Sequence, residues 1–528
     1  MKENSFIELL SNPGTVRLDD IPVLHYDEFV SFIDLLMGEE GTHCVAYFVL
    51  PQSDKYKFIC CMAADENHAI LLFSHEQLTD PALSLLSVSA RHFQFHVFER
   101  EIHENFGVGF HGHPWLKPIR YPFNRADQSR VMANYPFYTI DGEELHEVGV
   151  GPVHAGIIEP GHFRFICHGE QVLHLEIQLG YQHRGVEQLF AERPEILQQS
   201  ILAESIAGDT VVGHSLAYAS VIESLAGLNV SRQISAERII ALELERIAIH
   251  IGDTAALCND IAYQFGQVVN EALRTIIINT TQLWCGNRFG KGMIRPGLSN
   301  YPLTGETIAE ILKNLKEAEE RYLQVTDRIF SLPSVLGRFE GTGKVTTMQA
   351  SLIGAVGMAA KSSGMYRDIR WSHPFSAYVG QLYEPVMLHK GDVWSRAMVR
   401  KLEVEKSMAV IRELLKEITN YEPELGGANY EIRNPKSEIR NPKSEIRNPK
   451  YDLSLAPSSL AISLVEGWRG EICHVAITND AGKIIHYKAK DPSLHNWMAL
   501  ALSVRNQEIS DFPLCNKSFN LSYCGNDL

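Results

Sequence analysis

The apolar positions of this chain change period several times, and the changes divide it. Between about residues 43 and 74 three apolar runs, HCVAYFVLP, KFICCMAA and AILLFS, are each bounded by polar or turn residues and predict a strand meander. After Glu76 the pattern turns helical through Leu83, Leu85 and Leu86. From Ala90 to Phe98, His92, Gln94 and His96 alternate with Phe93, Phe95 and Val97, which predicts a further strand and completes a small α+β unit. A second alternating region, Phe163 and Phe165 followed by Val172, Leu173, Leu175 and Ile177, predicts a hairpin ahead of a long helical stretch. There Ser235 is the expected N-cap of AERIIALELERIAIHIGDTAAL, whose Ile240, Leu244, Ile247 and Ile251 recur on one face as a core stripe. Glu243, Arg246 and His250 form a second stripe at spacings of three and four, either a buried ion-pair network between helices or a proton relay. Near the end, NDAG between two strand-like runs predicts another hairpin.

One stretch obeys no core pattern. Between Tyr430 and Tyr451 the hexapeptide EIRNPK occurs three times, starting at Glu431, Glu438 and Glu445. The seven-residue period offers one Ile and one Pro per copy, which excludes a coiled coil and predicts an exposed low-complexity linker.

With 528 residues there is room for two or three domains. No apolar run approaches the roughly 20 residues of a membrane-spanning helix. The amino terminus, MKENSFIELLSNPG, lacks the apolar core and small-residue cleavage site of a secretory signal, so a cytoplasmic location is expected. A net charge of −16 argues against nucleic acid as a partner. The nine cysteines contain no Cys-x-x-Cys, which points to reduced, buried thiols rather than a zinc or cluster site. Neither GKG near Lys291 nor GTGKV at Gly341 to Val345 has the spacing of a phosphate loop.

The longer motifs carry a family resemblance. FEREIHENFGVGFHGHP, from Phe98, resembles the signature of the 30-kDa-type subunit of respiratory complex I; its His103, His111 and His113 lack the fixed spacing of metal ligands, and the segment reads as a loop that docks onto a partner. GPVHAGIIEPGHFRF, from Gly151, and GYQHRGVE, from Gly180, resemble the opening of the 49-kDa-type subunit and of the large subunit of group 4 NiFe hydrogenases of the formate hydrogenlyase type. The segment from Ala203 to Glu223, AESIAGDTVVGHSLAYASVIE, resembles the first metal-binding segment of those hydrogenases, with Ala207 and Thr210 in the two cysteine places. At the carboxyl end FNLSYCGND lies over the second pair, with Ser522 and Gly525 in the cysteine places and Cys524 one residue off. Alanine and glycine offer no donor atom and a neutral hydroxyl is a poor ligand for a soft metal, so no cofactor held by this chain is expected.

Other family positions are altered or retained. Pro160 and Gly208 stand where quinone-reducing relatives carry a histidine and a tyrosine facing the quinone. Asp368 and Arg370, in SSGMYRDIRWSHPFSAY, match positions lining the family's reaction chamber, although an Asp beside arginines is equally a structural salt bridge. Glu466, Arg469 and Gly470 match Glu-x-x-Arg-Gly, whose arginine overhangs the metal in hydrogenases.

The resemblance implies an α+β fold: a 30-kDa-subunit-like α+β domain over residues 1–145, fused to a mainly helical hydrogenase-large-subunit-like domain with peripheral β-hairpins over 146–528, interrupted by the 430–451 linker. It implies an oxidoreductase subunit, peripheral on the cytoplasmic face of the inner membrane, that couples electron transfer to ion translocation without a nickel–iron centre. The implied partners are a small subunit holding an iron–sulfur cluster, a ferredoxin-like subunit and antiporter-like membrane subunits; a quinone is a candidate carrier. Glu159, His214, Asp368 and Arg469 are the expected proton-handling or cavity residues. A non-catalytic coupling scaffold is the alternative, and an active NiFe hydrogenase the third reading.

Overall fold

A computed structural model describes residues 5–156, 158–420 and 453–528. The predicted linker lies outside these residues. The fold is α+β. Three long antiparallel strands, Thr42–Pro51, Lys55–Ala64 and Ala69–Leu78, form the meander the apolar runs predict, and Ile7–Leu9 and Val23–Leu24 both add to its last strand. The runs are apolar throughout because both faces of this sheet are covered. Tyr47, Phe58, Cys60 and Phe73 face the helix Tyr26–Leu36 through Phe29, Phe32 and Ile33, while Phe48, Ile59, Cys61, Ile70 and Leu72 join the principal core shared with the helical region.

That region is built on the helices Val211–Ala226, Arg232–Asp260, Gln264–Cys285, Gly305–Ile329 and Val393–Asn420. Ile240, Leu244, Ile247 and Ile251 are fully buried, as their spacing predicts. Ser231, not Ser235, caps the second helix: its Oγ accepts the Ile234 N–H at 3.3 Å, so the helix starts one turn earlier. The hairpin His162–His168 with Gln171–Gln178 forms as expected. A four-stranded sheet completes the fold in the order Ile484–Lys490, Glu471–Thr478, Ser459–Glu466, Gly14–Arg17, with Asn479 to Gly482 in the turn between its first two members. Its edge strand comes from the amino terminus, where Val16 pairs with Leu460. Among the described residues no helix is long and apolar enough to cross a membrane.

Two local expectations are corrected. Residues 90–98 are not a strand: a single 3-10 turn at Phe93–Phe95 leads into the helix His96–Phe106. Phe95, Phe98 and Ile102 share one face at helical spacing, and burying them together outweighs a short alternating pattern. The expected helix through Leu83 to Leu86 is the strand Ser84–Leu86, placed by parallel pairing of Leu85 with Phe110, a partner that local periodicity cannot show.

The EREIHENFG segment braces its own chain. Glu99 accepts hydrogen bonds from Ser87, Val88 and Ser89, Arg100 donates to the carbonyls of Lys117 and Pro118, and Glu104 accepts the N–H groups of Arg120 and Tyr121. The charges of Glu99, Arg100 and Glu104 are therefore spent inside the molecule, while His111, Gly112 and Pro114 of the following loop are exposed.

Candidate functional site

At the centre of the helical region lies a buried cluster of charges. Lys361 donates to Asp368 and Glu466 at 3.0 Å each and also to Glu403. Arg370 forms a two-pronged pair with Asp368 at 2.9 and 2.6 Å and reaches Glu403 at 3.1 Å. Arg246 pairs with Glu243 at 3.0 Å, and His250 Nε2 lies 2.9 Å from Glu403. Tyr378 donates to Glu243 at 2.7 Å. The stripe of Glu243, Arg246 and His250 thus belongs to a network between helices, as one of its two sequence readings holds.

Each of these charged groups is at most 1% exposed. Burying ions costs several kcal/mol apiece unless opposite charges and hydrogen bonds compensate. The cations Lys361, Arg246 and Arg370 face the carboxylates Glu243, Asp368, Glu403 and Glu466. The mismatch falls on Glu466: burial, and then the adjacent Asp368 charge, push its carboxyl up to about 7. Burial alone would also raise Asp368 and Glu403, but Arg370 and Lys361 outweigh it and hold both below the usual carboxylate range. Within the cluster Glu466 is therefore the carboxyl placed to exchange a proton near neutral pH.

Four residues beyond Glu466 the chain turns through Gly470, whose φ is +137° and where a Cβ would come within 2.6 Å of the Gly357 Cα. This turn aims Arg469 at the segment before the helix Val211–Ala226. Its guanidinium donates to both Asp209 oxygens at 2.7 and 2.6 Å, to Thr210 Oγ1 at 3.2 Å and to the Asn520 carbonyl at 2.6 Å. Burial would depress Arg469, yet Asp209 more than compensates and keeps it charged. Asp209 and Asn520 also line a cavity of about 380 Å³ with Asp253, Asn259 and Arg274.

The two segments that resemble metal-binding motifs meet at this arginine. Ala207 packs in an apolar cluster beside Cys524. Ser522 Oγ accepts the Gly525 N–H at 2.9 Å and lies 3.4 Å from the Cys524 sulfur. A Cβ at Gly525 would come within 2.6 Å of the Asp491 Cγ, so a carboxylate already fills the space of a side chain there. The one thiol nearby, Cys524, is pushed up to about 11 by burial and stays protonated at neutral pH. One protonated thiol, two hydroxyls and an arginine-paired aspartate do not fit a nickel–iron centre, which requires soft, ionised donors.

Of the expected site residues, His214 and Arg469 come together, both facing Asp491: His214 Nε2 lies 3.1 Å from its Oδ2. Asp368 lies apart from them, inside the charge cluster, where Lys361 ties it to Glu466. Glu159 sits on the loop before the hairpin, next to the Cys524 thiol. Pro160 and Gly208 present no hydrogen-bonding side chain. Sequence reasoning missed Asp209, Lys361, Glu403, His474 and Asp491. Lys361 carried a signal, as the single charge in AVGMAAKSSGM; the others stand in ordinary amphipathic surroundings.

Comparison with known proteins finds a family and several similar chains. The family described as "Respiratory-chain NADH dehydrogenase, 49 Kd subunit" matches residues 264–527. "Hydrogenase-4 component G" of Escherichia coli strain K12 is 25% identical over 79% of this chain and 67% of its own length. "Carbon monoxide-induced hydrogenase" of Rhodospirillum rubrum is 28% identical over 71% of this chain and 97% of its own length. "Formate hydrogenlyase subunit 5" of Escherichia coli strain K12 is 25% identical over 81% of this chain and 74% of its own length.

Proposed function

Because the chain belongs to the family of the respiratory-chain NADH dehydrogenase 49 Kd subunit, we propose that it is the large subunit of a membrane-associated, hydrogenase-like or complex I-like oxidoreductase complex. In this reading it takes electrons from an iron–sulfur partner subunit, passes them to a carrier for which a quinone is a candidate, and couples the transfer to ion translocation without a nickel–iron centre. A ferredoxin-like subunit and antiporter-like membrane subunits complete the assembly, and the chain sits on the cytoplasmic face of the inner membrane.

The observation that carries the reading is the closure of Arg469 onto Asp209, Thr210 and the Asn520 carbonyl. An arginine with four of its five N–H donors on carboxylate, hydroxyl and carbonyl oxygens is held without a metal-bound group as partner. The charge cluster supports the coupling half: with Glu466 pushed up to about 7, the cluster takes up or releases a proton near physiological pH when a neighbouring charge changes. Arg469 and His214 act here electrostatically and in proton handling; Asp368 fixes Lys361 and Arg370, and is a positioning residue. The occupation of four of the five Arg469 N–H donors also favours a second reading, a coupling scaffold without its own redox chemistry.

Metal analysis and acceptor reduction on the purified complex separate these readings. Nickel far below one per complex, together with electron flow from the partner's cluster to an added quinone, is the expected result. Stoichiometric nickel with hydrogen turnover overturns the proposal. Neither signal, with ion transport intact, selects the scaffold.

A further inference from the structure

Four buried side chains form an unbroken hydrogen-bonded line. Tyr487 Oη lies 2.7 Å from His474 Nδ1, His474 Nε2 lies 3.0 Å from His214 Nδ1, and His214 Nε2 lies 3.1 Å from Asp491 Oδ2. Tyr487, on the strand Ile484–Lys490, is 2% exposed, and the other three are fully buried. The line crosses from that strand through Glu471–Thr478 to the first turn of the helix Val211–Ala226, and returns to Asp491 just past the strand end.

Its direction follows from the chemistry of each group. Burial keeps the Tyr487 phenol protonated, so it donates to His474 Nδ1. Burial holds His474 neutral, so with Nδ1 accepting from Tyr487 its one proton is on Nε2 and is donated to His214 Nδ1. With Nδ1 accepting, His214 carries its proton on Nε2 and donates it to the Asp491 carboxylate. Every bond in the line points toward Asp491.

Both ends are placed for use. Tyr487 borders a cavity of about 380 Å³ whose walls include Glu101, His183 and Glu187. Asp491 accepts the Ser493 N–H at 2.8 Å and faces His214 and Arg469, with Asp209 and Asp253 beyond the arginine. Its carboxyl group occupies the space a side chain at position 525 would need. Burial would raise Asp491, but the His214 hydrogen bond and the Arg469 charge outweigh it, so the group rests ionised and ready to accept.

We propose that Asp491 is the proton-loading group of this site, supplied from the Tyr487 cavity through His474 and His214. In one transfer the His214 Nε2 proton passes to Asp491, the His474 Nε2 proton to His214 Nδ1 and the Tyr487 proton to His474 Nδ1, while the phenolate takes a proton from the cavity. One proton enters, one carboxylate is neutralised, and no electron moves along the line. The driving force is the electron reaching the adjacent iron–sulfur subunit, so the inference rests on the functional reading above.

The test is redox-difference infrared spectroscopy of the assembled complex, alongside proton uptake measured with a pH indicator. Reduction of the wild-type complex is expected to produce a protonated-carboxyl band that shifts in D₂O. Asp491→Asn is expected to remove the band, and Tyr487→Phe, which keeps the ring stacked on Phe190 and loses only the hydroxyl, to slow its appearance by about tenfold or more. If Asp491→Asn does not assemble, Tyr487→Phe decides alone. A band that survives Asp491→Asn, or forms at the wild-type rate in Tyr487→Phe, overturns the proposal. Absence of proton uptake in the wild-type complex overturns the functional reading beneath it instead.

Discussion

Glu466 shows how a single proton is set by its surroundings. Its carboxyl titrates near 7 in the fold against an ordinary value of 4.5. Between those values the folded state holds a proton that the unfolded chain has released, so stability falls as pH rises through this window and levels off above it. A gap of that size corresponds to about 3 kcal/mol. Glu466→Gln, neutral at every pH, removes the effect. A buried histidine outside the cluster such as His373, whose lowered value acts in the opposite sense, contributes equally to both proteins and cancels in the difference. Denaturant unfolding at pH 5 and pH 8 is expected to show the wild type losing about 3 kcal/mol relative to the variant; parallel stability curves would contradict the assignment. Such a residue is only half legible in a sequence. Glu466 and Arg469 stand in a motif, but the charges that set Glu466 come from Asp368, Lys361 and Arg370, about a hundred positions away, and no local pattern reports a shared proton.

Strands and helices were legible where one partner sufficed to bury them. The meander from Thr42 to Leu78, the hairpin at Phe163 and the core stripe of the helix Arg232–Asp260 all follow from period and length. What failed was decided by distant partners: Ser84–Leu86 is a strand because Gly109–His111 lies beside it. The same applies to Gly14–Arg17, four residues at the edge of a sheet formed otherwise by residues 459–490. Asn12 extends that edge by imitating a strand. Its Nδ2 donates to the carbonyls of Leu464 and His373 at 2.8 Å each, and its Oδ1 accepts the Leu464 N–H at 2.8 Å. Asn12→Ala leaves backbone groups of a central strand without partners and is expected to cost about 1–3 kcal/mol. The check is a lower urea midpoint with an unchanged slope, since a changed slope would mean that the edge detaches altogether.

At the scale of the whole molecule, the amino-terminal α+β region and the remainder share an apolar core and are further joined by buried charge. Glu101, on the helix His96–Phe106, receives Arg120 at 2.8 Å and Lys488 from the carboxyl-terminal sheet, while Arg120 also donates to the Asn526 carbonyl at 2.8 Å. Higher up the seam, His43 lies 2.7 Å from Glu471. Burial would raise Glu101, but Lys488 and Arg120 outweigh it and hold its carboxyl at about 2. The stability it contributes is therefore present above its unfolded value and is lost as pH falls toward 2. Two halves fixed in this way are expected to unfold in a single calorimetric transition. Glu101→Ala strands Lys488 and Arg120 in a site where Glu187 at 3.0 and 3.9 Å is the remaining carboxylate; the expected cost is about 3–5 kcal/mol, with the transition separating into two. Adding Lys488→Met to Glu101→Ala removes the stranded charge and is expected to recover part of that loss. If the seam held only by its apolar contacts, the second substitution would add to the damage instead, so the sign of the coupling between the two positions decides whether the ion pair fastens the halves together.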